Sequence, residues 1–398
     1  MSFENKIALS AYYKSLGLSN AAIATLLRVD ASSVSRYLRQ AEEEAWLQYN
    51  LQLHLPRELD RAARATVREM DLEESLFNLF AARGTPSRLR RDGFVVVRTG
   101  VEERHGKKGG CTTRSKTSAP EIDDLHLAMM SIEAGRLLLD LLARRDVRRS
   151  TILGTTWGRS TGGVIASLAK MSLPELTELL VVPLQGGVGR TASSDVSSQY
   201  YPDILAERLS LLFHSRRQPA LITLPAYIAA QAAKQVGEAG LKAIWRFIEN
   251  DTSFQRATEA HQHLDIALIG VGGLEKGAWA VSSGYLGDAA IVNALKKEGA
   301  QGDIVCRFFR DGPENPIEGW SPHSAPTETI RQTNLRAIGI SLSTLAARIK
   351  AGTRVLAVAG GQSGAKARAI YAAVLNGFVT DLVTDDATAM AILRLGQL

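Results

Sequence analysis

At 398 residues, with 45% hydrophobic and 22% charged positions, the chain has the composition of an ordinary soluble protein and the length for at least two packed units. A formal net charge of +6 favours contact with polyanions without requiring it. Two cysteines, Cys111 and Cys306, show neither CxxC spacing nor a disulfide-rich pattern, which fits a reducing compartment and counts against a structural zinc site. The opening MSFENKIALS lacks an apolar stretch behind a basic start, and no later run is long enough to span a bilayer. A cytoplasmic protein without membrane contact is expected.

Residues 4–16 have helical spacing, and LSNAAIATLLR repeats it after Gly17, with Ser19 as cap. A third short helix starts at Asp30. Ile23, Ala24 and Leu27 form one apolar stripe, and Val34, Leu38 and Ala41 another, with Val29, Asp30 and Ala31 between them. Two short helices joined by a tight turn and packed on a preceding helix predict a helix-turn-helix domain over residues 1–55. Asp30 is placed to cap the second of the pair. With Val34 and Leu38 turned inward, Ser32, Ser33, Ser35, Arg36 and Arg39 are left facing outward. Small hydroxyl residues let a helix enter a major groove, and arginines reach guanine edges or phosphates. The alternative is a helical hairpin whose serines and arginines face water.

Residues 56–82 read as a connecting or dimerisation helix with Leu59, Ala63, Val67, Met70 and Leu76 buried. The rest, 83–398, reads as a ligand-responsive and oligomerisation domain. It opens with one strand, GFVVVR, and a basic segment near 100–120 that is expected to be a flexible, solvated loop, with DNA phosphates as its alternative contact. Beyond residue 120, helical stretches alternate with STILG, LLVVPLQGG, ALITLP, IALIGVGG, RVLAVAGG and FVTDLVTD. This alternation predicts a mostly parallel sheet with crossover helices, an α/β fold whose ligands collect outside the carboxyl ends of the strands.

In STILGTTWGRSTGG a Gly/Thr loop joins a strand to a helix. Its amides, with the hydroxyls of Thr155, Thr156, Ser160 and Thr161, suit an anion or a polyol, and Gly154 and Gly158 permit close backbone approach. GRSTG formally matches GxSxG, but TTWGR puts extra loop before Ser160 where a nucleophile elbow turns sharply. AGGQSGAKA resembles a phosphate loop in which Ala365 and Ala367 replace the glycine and hydroxyl residue flanking the lysine, so nucleotide hydrolysis is not expected. Lys366 is left as a point charge for a phosphate or carboxylate, or as a surface lysine. Asp303 can accept hydrogen bonds from sugar hydroxyls or serve a turn, and Gln185 is an amide partner on the same terms. His261 and His263 lack nearby ligand partners and read as structural or exposed. Neither a metal nor a cofactor is expected.

AAIATLLRVDASSVSRYLRQA, GTTWGRST, VVPLQGG, ALIGVGG, GAQGDIVCRFF and the late ISLSTLAARIKAGTRVLAVAGGQSGAKARAIYAAVLNGFVTDLVTDDATAMAIL together resemble the SorC/DeoR-type sugar-responsive transcriptional regulators. That resemblance covers nearly everything outside 83–120. It implies a helix-turn-helix joined to an effector domain like sugar-phosphate isomerases and CoA transferases, in a homo-oligomer, dimer or tetramer, that moves on double-stranded operator DNA when a sugar, polyol or sugar phosphate binds. It assigns effector binding to Gly154, Thr155, Thr156, Gly158, Arg159, Gln185, Asp303 and Lys366, and no catalytic residue. The rival from another class is a sugar-phosphate isomerase-like enzyme, with Asp303 or Asp385 as its base.

Overall fold

The computed structural model describes residues 2–15, 18–47, 66–83, 89–98, 119–145, 150–187, 201–275, 289–310, 327–361 and 364–397, with single positions between 56 and 63 and at 286. The basic segment expected as a loop, with Cys111, lies outside the described residues as far as Ala119.

Helices α1 (Phe3–Ser15), α2 (Asn20–Leu27) and α3 (Ala31–Glu43) form where the spacing placed them. Ser19 caps α2 by accepting from Ala22 N at 3.2 Å, and Arg28 ends it in the left-handed region at φ 53°. Ile23, Ala24, Leu27, Val34, Leu38 and Ala41 are all buried, joined by Tyr37.

The segment expected as one helix is interrupted. Arg68 makes an antiparallel bridge with Val97, and only then does α4 (Met70–Ala82) begin. The new helical phase buries Glu73, Leu76 and Phe80 and leaves Met70 64% exposed, against expectation. Ala63, Val67 and Leu76 are buried as anticipated, while Leu59 is half-buried. Glu73 tolerates burial because Arg68 grips both its carboxylate oxygens, at 2.8 and 2.6 Å, and Val96 N donates to it at 3.0 Å.

The main sheet has six strands, all parallel: β1 (Phe94–Val97), β2 (Thr151–Thr155), β3 (Leu179–Pro183), β4 (Ile266–Ile269) and, later in the chain, β7 (Arg354–Val358) and β8 (Asp381–Asp385). Their order is β1-β8-β7-β4-β2-β3. Near-continuous burial along these strands reflects helices on both faces. One face is covered by α5 (Ala119–Ala143), α6 (Arg159–Leu168) and α7 (Pro202–Leu212), with the amino-terminal helices in the same hydrophobic core. The other carries α4, α8 (Ala230–Glu249) and α9 (Thr252–Gln262), together with three later helices. These are α12 (Leu342–Ala351), α13 (Ala367–Leu375) and α14 (Asp386–Gly396).

ALITLP does not become a strand of this sheet. Bounded by Pro219 and Pro225, which donate no ladder bond, it passes β3 with Ala220 N bonded to Val181 O at 3.0 Å. At the opposite edge Glu69 N bonds Val96 O at 2.9 Å and Arg98 N bonds Val67 O at 2.8 Å. An antiparallel hairpin of β5 (Ala300–Ile304) and β6 (Arg307–Arg310), not anticipated from sequence, forms a third small core with α10 (Ala289–Lys297) and α11 (Glu328–Asn334). Its turn holds Val305 and Cys306 at φ 50° and 64°.

Candidate functional site

After β2 the chain steps outward to β3, whereas from β4 it proceeds the opposite way to β7 and β8. The sheet therefore has its topological switch point between β2 and β4, and it is beyond the carboxyl ends at such a point that open α/β sheets bind ligands. Thr156 spans it: its Oγ1 accepts the Gly270 N–H at 3.2 Å and shares a hydrogen bond with Thr161 Oγ1 at 3.2 Å. Thr155, Thr156 and Thr161 are buried, so their hydroxyls brace the loop instead of lining an open surface. Gly158 turns the chain into α6 at φ 125°, with Arg159 exposed behind it. Gly154 lies inside β2, and a Cβ there would run into Leu184 and Leu264, 2.5 and 2.9 Å away; its smallness serves packing. Ser160 is half-buried in the first turn of α6, past Thr156, Trp157 and Gly158, and hydrogen-bonds no histidine among the described residues.

The β5–β6 hairpin joins the sheet just past the carboxyl end of β4. Gly272 and Asp303 exchange backbone bonds of 2.9 and 3.0 Å, which docks the hairpin on the end of β4. Burial pushes the Asp303 carboxyl up to about 7, with Lys366 and the Cys306 N–H opposing and Glu275 adding. Lys366, in the turn before α13, is pushed down by burial and by Arg159, while Glu275, Asp303 and Asp385 hold its proton. Arg159, Glu275, Asp303 and Asp385, each on a different segment, thus all act electrostatically on Lys366. Gln185 is fully buried just past β3, and its side chain is a hydrogen-bond partner of the Cys306 thiol. Beside it and Trp157 lies the Cys306 thiol, raised by burial and by Asp303. Such a group of donors and acceptors can bind hydroxyls through Asp303 and Gln185, and an anionic group through Lys366 and Arg159. Gln362 and Ser363 of the phosphate-loop-like stretch lie outside the described residues.

Asp385, the other base named for an isomerase, is committed locally. Its carboxylate accepts from Gly361 N at 2.6 Å, Thr388 N at 2.8 Å and Thr388 Oγ1 at 3.0 Å. His261 is buried and bonded to Pro183 O at 2.9 Å, and His263 is exposed. Among the described residues no group of three His, Cys, Asp or Glu side chains could hold a metal, and no helix is long and apolar enough to cross a membrane. A separate groove of about 390 Å³, near Ile152, Leu180, Arg217 and Arg256, contains none of the predicted residues.

On α3, Ser32, Ser35, Arg36 and Arg39 are exposed and Ser33 is half-buried, all on the outer face as expected. The hydroxyls of Ser32 and Ser33 donate to the capping Asp30, whose carboxyl they and the Ser33 N–H hold far below its ordinary range. Sequence reasoning missed a link across the three helices: Lys14 Nζ donates to Asn20 Oδ1 at 3.1 Å and Asn20 Nδ2 to Ser35 Oγ at 3.2 Å. It also missed Glu275, Cys306 and the Thr161 brace. Their signal is topological and needs the hairpin and the β4 loop placed before it can be seen.

A three-helix head on a parallel-sheet domain with a polar cleft at its switch point defines a two-part ligand-binding protein. The model of the sugar-binding domain family, Sugar-bind, matches residues 123–394, more than half of the chain, and the chain belongs to that family. A 152-residue stretch is 29% identical to the transcriptional regulator LsrR of Klebsiella pneumoniae, covering 38% of this chain and 41% of that protein. Over 248 residues it is 27% identical to a deoxyribonucleoside regulator of Bacillus subtilis, covering 62% of this chain and 66% of the relative. The matched parts span less than two thirds of either relative's length. The crystal structure of the full-length sorbitol operon regulator SorC from Klebsiella pneumoniae superposes with a TM-score of 0.55 over 98% of each chain at 18% identity, a likeness of fold.

Proposed function

We propose that the chain is a transcriptional regulator whose α3 reads double-stranded operator DNA and whose cleft senses a sugar, polyol or sugar phosphate. The observation that carries this reading is the exposed Ser35–Arg36–Arg39 face on one chain with the family's sugar-binding domain. Arg36 and Arg39 contact bases or phosphates, with Ser32, Ser33 and Ser35 allowing close approach. Lys366 and Arg159 attract the anionic part of an effector, Asp303 and Gln185 take hydroxyls, and the turn at Gly158, past Thr155 and the Thr156 amide that bonds Leu268 O, supplies backbone donors. For switching, the effector must bind one arrangement of a homo-oligomer better than another. The names of the curated relatives, both regulators, support this, and on this reading the site binds its effector without converting it. The isomerase alternative has less support, since the named relatives are regulators and, of its two candidate bases, Asp385 is held by its cap, which leaves Asp303.

The test has two arms. A duplex enriched by the full chain from a randomised pool is titrated with Arg36→Ala and Arg39→Ala, each expected to lose about 1–3 kcal/mol of binding. Unchanged affinity in both removes the DNA role. Thermal shifts over sugars, polyols and their phosphates are read against Lys366→Ala, and conversion of a stabilising compound would restore the enzyme reading.

A further inference from the structure

Helix α5 meets the amino-terminal head and the candidate cleft on neighbouring turns. Tyr12 of α1 donates its hydroxyl to Glu133 Oε1 at 3.0 Å, and Arg136 Nη1 donates to the same oxygen at 2.7 Å with its guanidinium 5.1 Å above the Tyr12 ring. Tyr12 and Glu133 are only 1% and 2% exposed. Burial, with Glu133 adding, raises the Tyr12 hydroxyl well above its ordinary value, so it stays a donor. Arg68, on the segment leading from the head into the sheet, lies within electrostatic reach of both Glu133 and Arg136. Lys170, just past α6, adds a bond from Nζ to Ser15 O at 3.3 Å.

Less than one turn before Glu133, α5 touches the loops of the cleft. Met130 Sδ lies 3.0 Å from where a Cβ on Gly360 would stand, beside Asp385. Ser131 Oγ fills the space beside Gly163 of α6, and Ser167 Oγ donates to Ser131 O at 2.9 Å. Gly163 sits in the helix that Gly158 and Arg159 open. A shift of either loop therefore presses on the α5 residues next to Glu133, because close-packed interiors transmit displacement.

Apolar packing alone would hold two helices together without fixing their angle. A buried carboxylate is costly unless its partners stay in place, so it favours one geometry over others. We infer that Glu133 is a positioning residue: it holds the DNA-reading head in one orientation against α5, and through α5 makes that orientation answer to the cleft. This rests on the regulator reading above.

The test uses the full chain and the duplex enriched by the wild type. Tyr12→Phe keeps the ring and removes one bond, while Glu133→Gln keeps the shape and removes the charge. Each is expected to weaken duplex binding roughly tenfold, read at a temperature where circular dichroism shows the variant fully folded. Gly163→Ala, which presses on Ser131, is expected to shift duplex affinity alone and to lose that effect beside Tyr12→Phe; should it unfold, Ser131→Ala, which empties the same contact, replaces it. Equal duplex affinity for wild type, Tyr12→Phe and Glu133→Gln overturns the positioning role. Additive effects of the α5–α6 change and Tyr12→Phe, or no effect of that change, overturn the link to the cleft. A pool that yields no enriched duplex removes DNA reading itself, a failure distinct from the other two.

Discussion

The Asp303 carboxylate occupies the space that a side chain on Gly272 would need, while the two residues exchange backbone hydrogen bonds. One contact thus pins the hairpin on the sheet and holds a half-buried carboxylate within electrostatic reach of Lys366. Its charge is sensitive to the pH range in which the protein would work.

With its folded value raised to about 7, Asp303 favours the folded state while protonated, and that contribution is lost as pH rises from about 4 through about 7. Asp303→Asn is therefore expected to match the wild type near pH 4 and to exceed it at pH 8 by up to roughly 4 kcal/mol. Denaturant melts at these two pH values and one between them provide the check. An equal gain at all three would refute the assignment.

His261 has the opposite slope. Burial lowers it to about 4, against a weaker upward pull from its bond to Pro183 O, so the fold holds it neutral. Its stabilisation is present above about 6.5 and lost as pH falls through about 4, on the order of 3 kcal/mol. His261→Gln should flatten the acid limb of the stability curve measured by the same melts. An unaltered limb would place that sensitivity elsewhere.

Two glycines of one loop region fail for different reasons. Gly158→Ala meets nothing within 4 Å but must hold φ 125°, a strain of about 1–3 kcal/mol. Gly154→Ala collides with Leu184 and Leu264, and overpacking costs about 1–3 kcal/mol. Trimming Leu184 to Ala should recover part of the Gly154→Ala loss and none of the Gly158→Ala loss, read as shifts in denaturation midpoint. Equal recovery in both would contradict the distinction.

The head and the parallel strands were legible because each depends on local pattern: caps at Ser19 and Asp30, apolar stripes three and four apart, and short runs of β-branched residues ending in glycine. The break at Arg68 was not, since it depends on an ion pair with Glu73 and a bridge to Val97 that no local periodicity encodes. Met70 followed that break into solvent. In the cleft, the order of segments was readable but the orientation of side chains was not. Thr155 and Thr156 looked like open hydroxyls until the β4 loop was placed against them. Gly154 read as a pocket residue because its packing partners lie about 30 and 110 positions away in the chain.

Among the described residues both borders of the six-stranded sheet are partly covered: residues 67–69 bond along β1, and Ala220 N bonds to Val181 O of β3. That cover shortens the ladder a second molecule could extend, which guards against runaway ribbon growth. Contacts made through helices and loops instead can loosen and reform without tearing the strands that carry the candidate site.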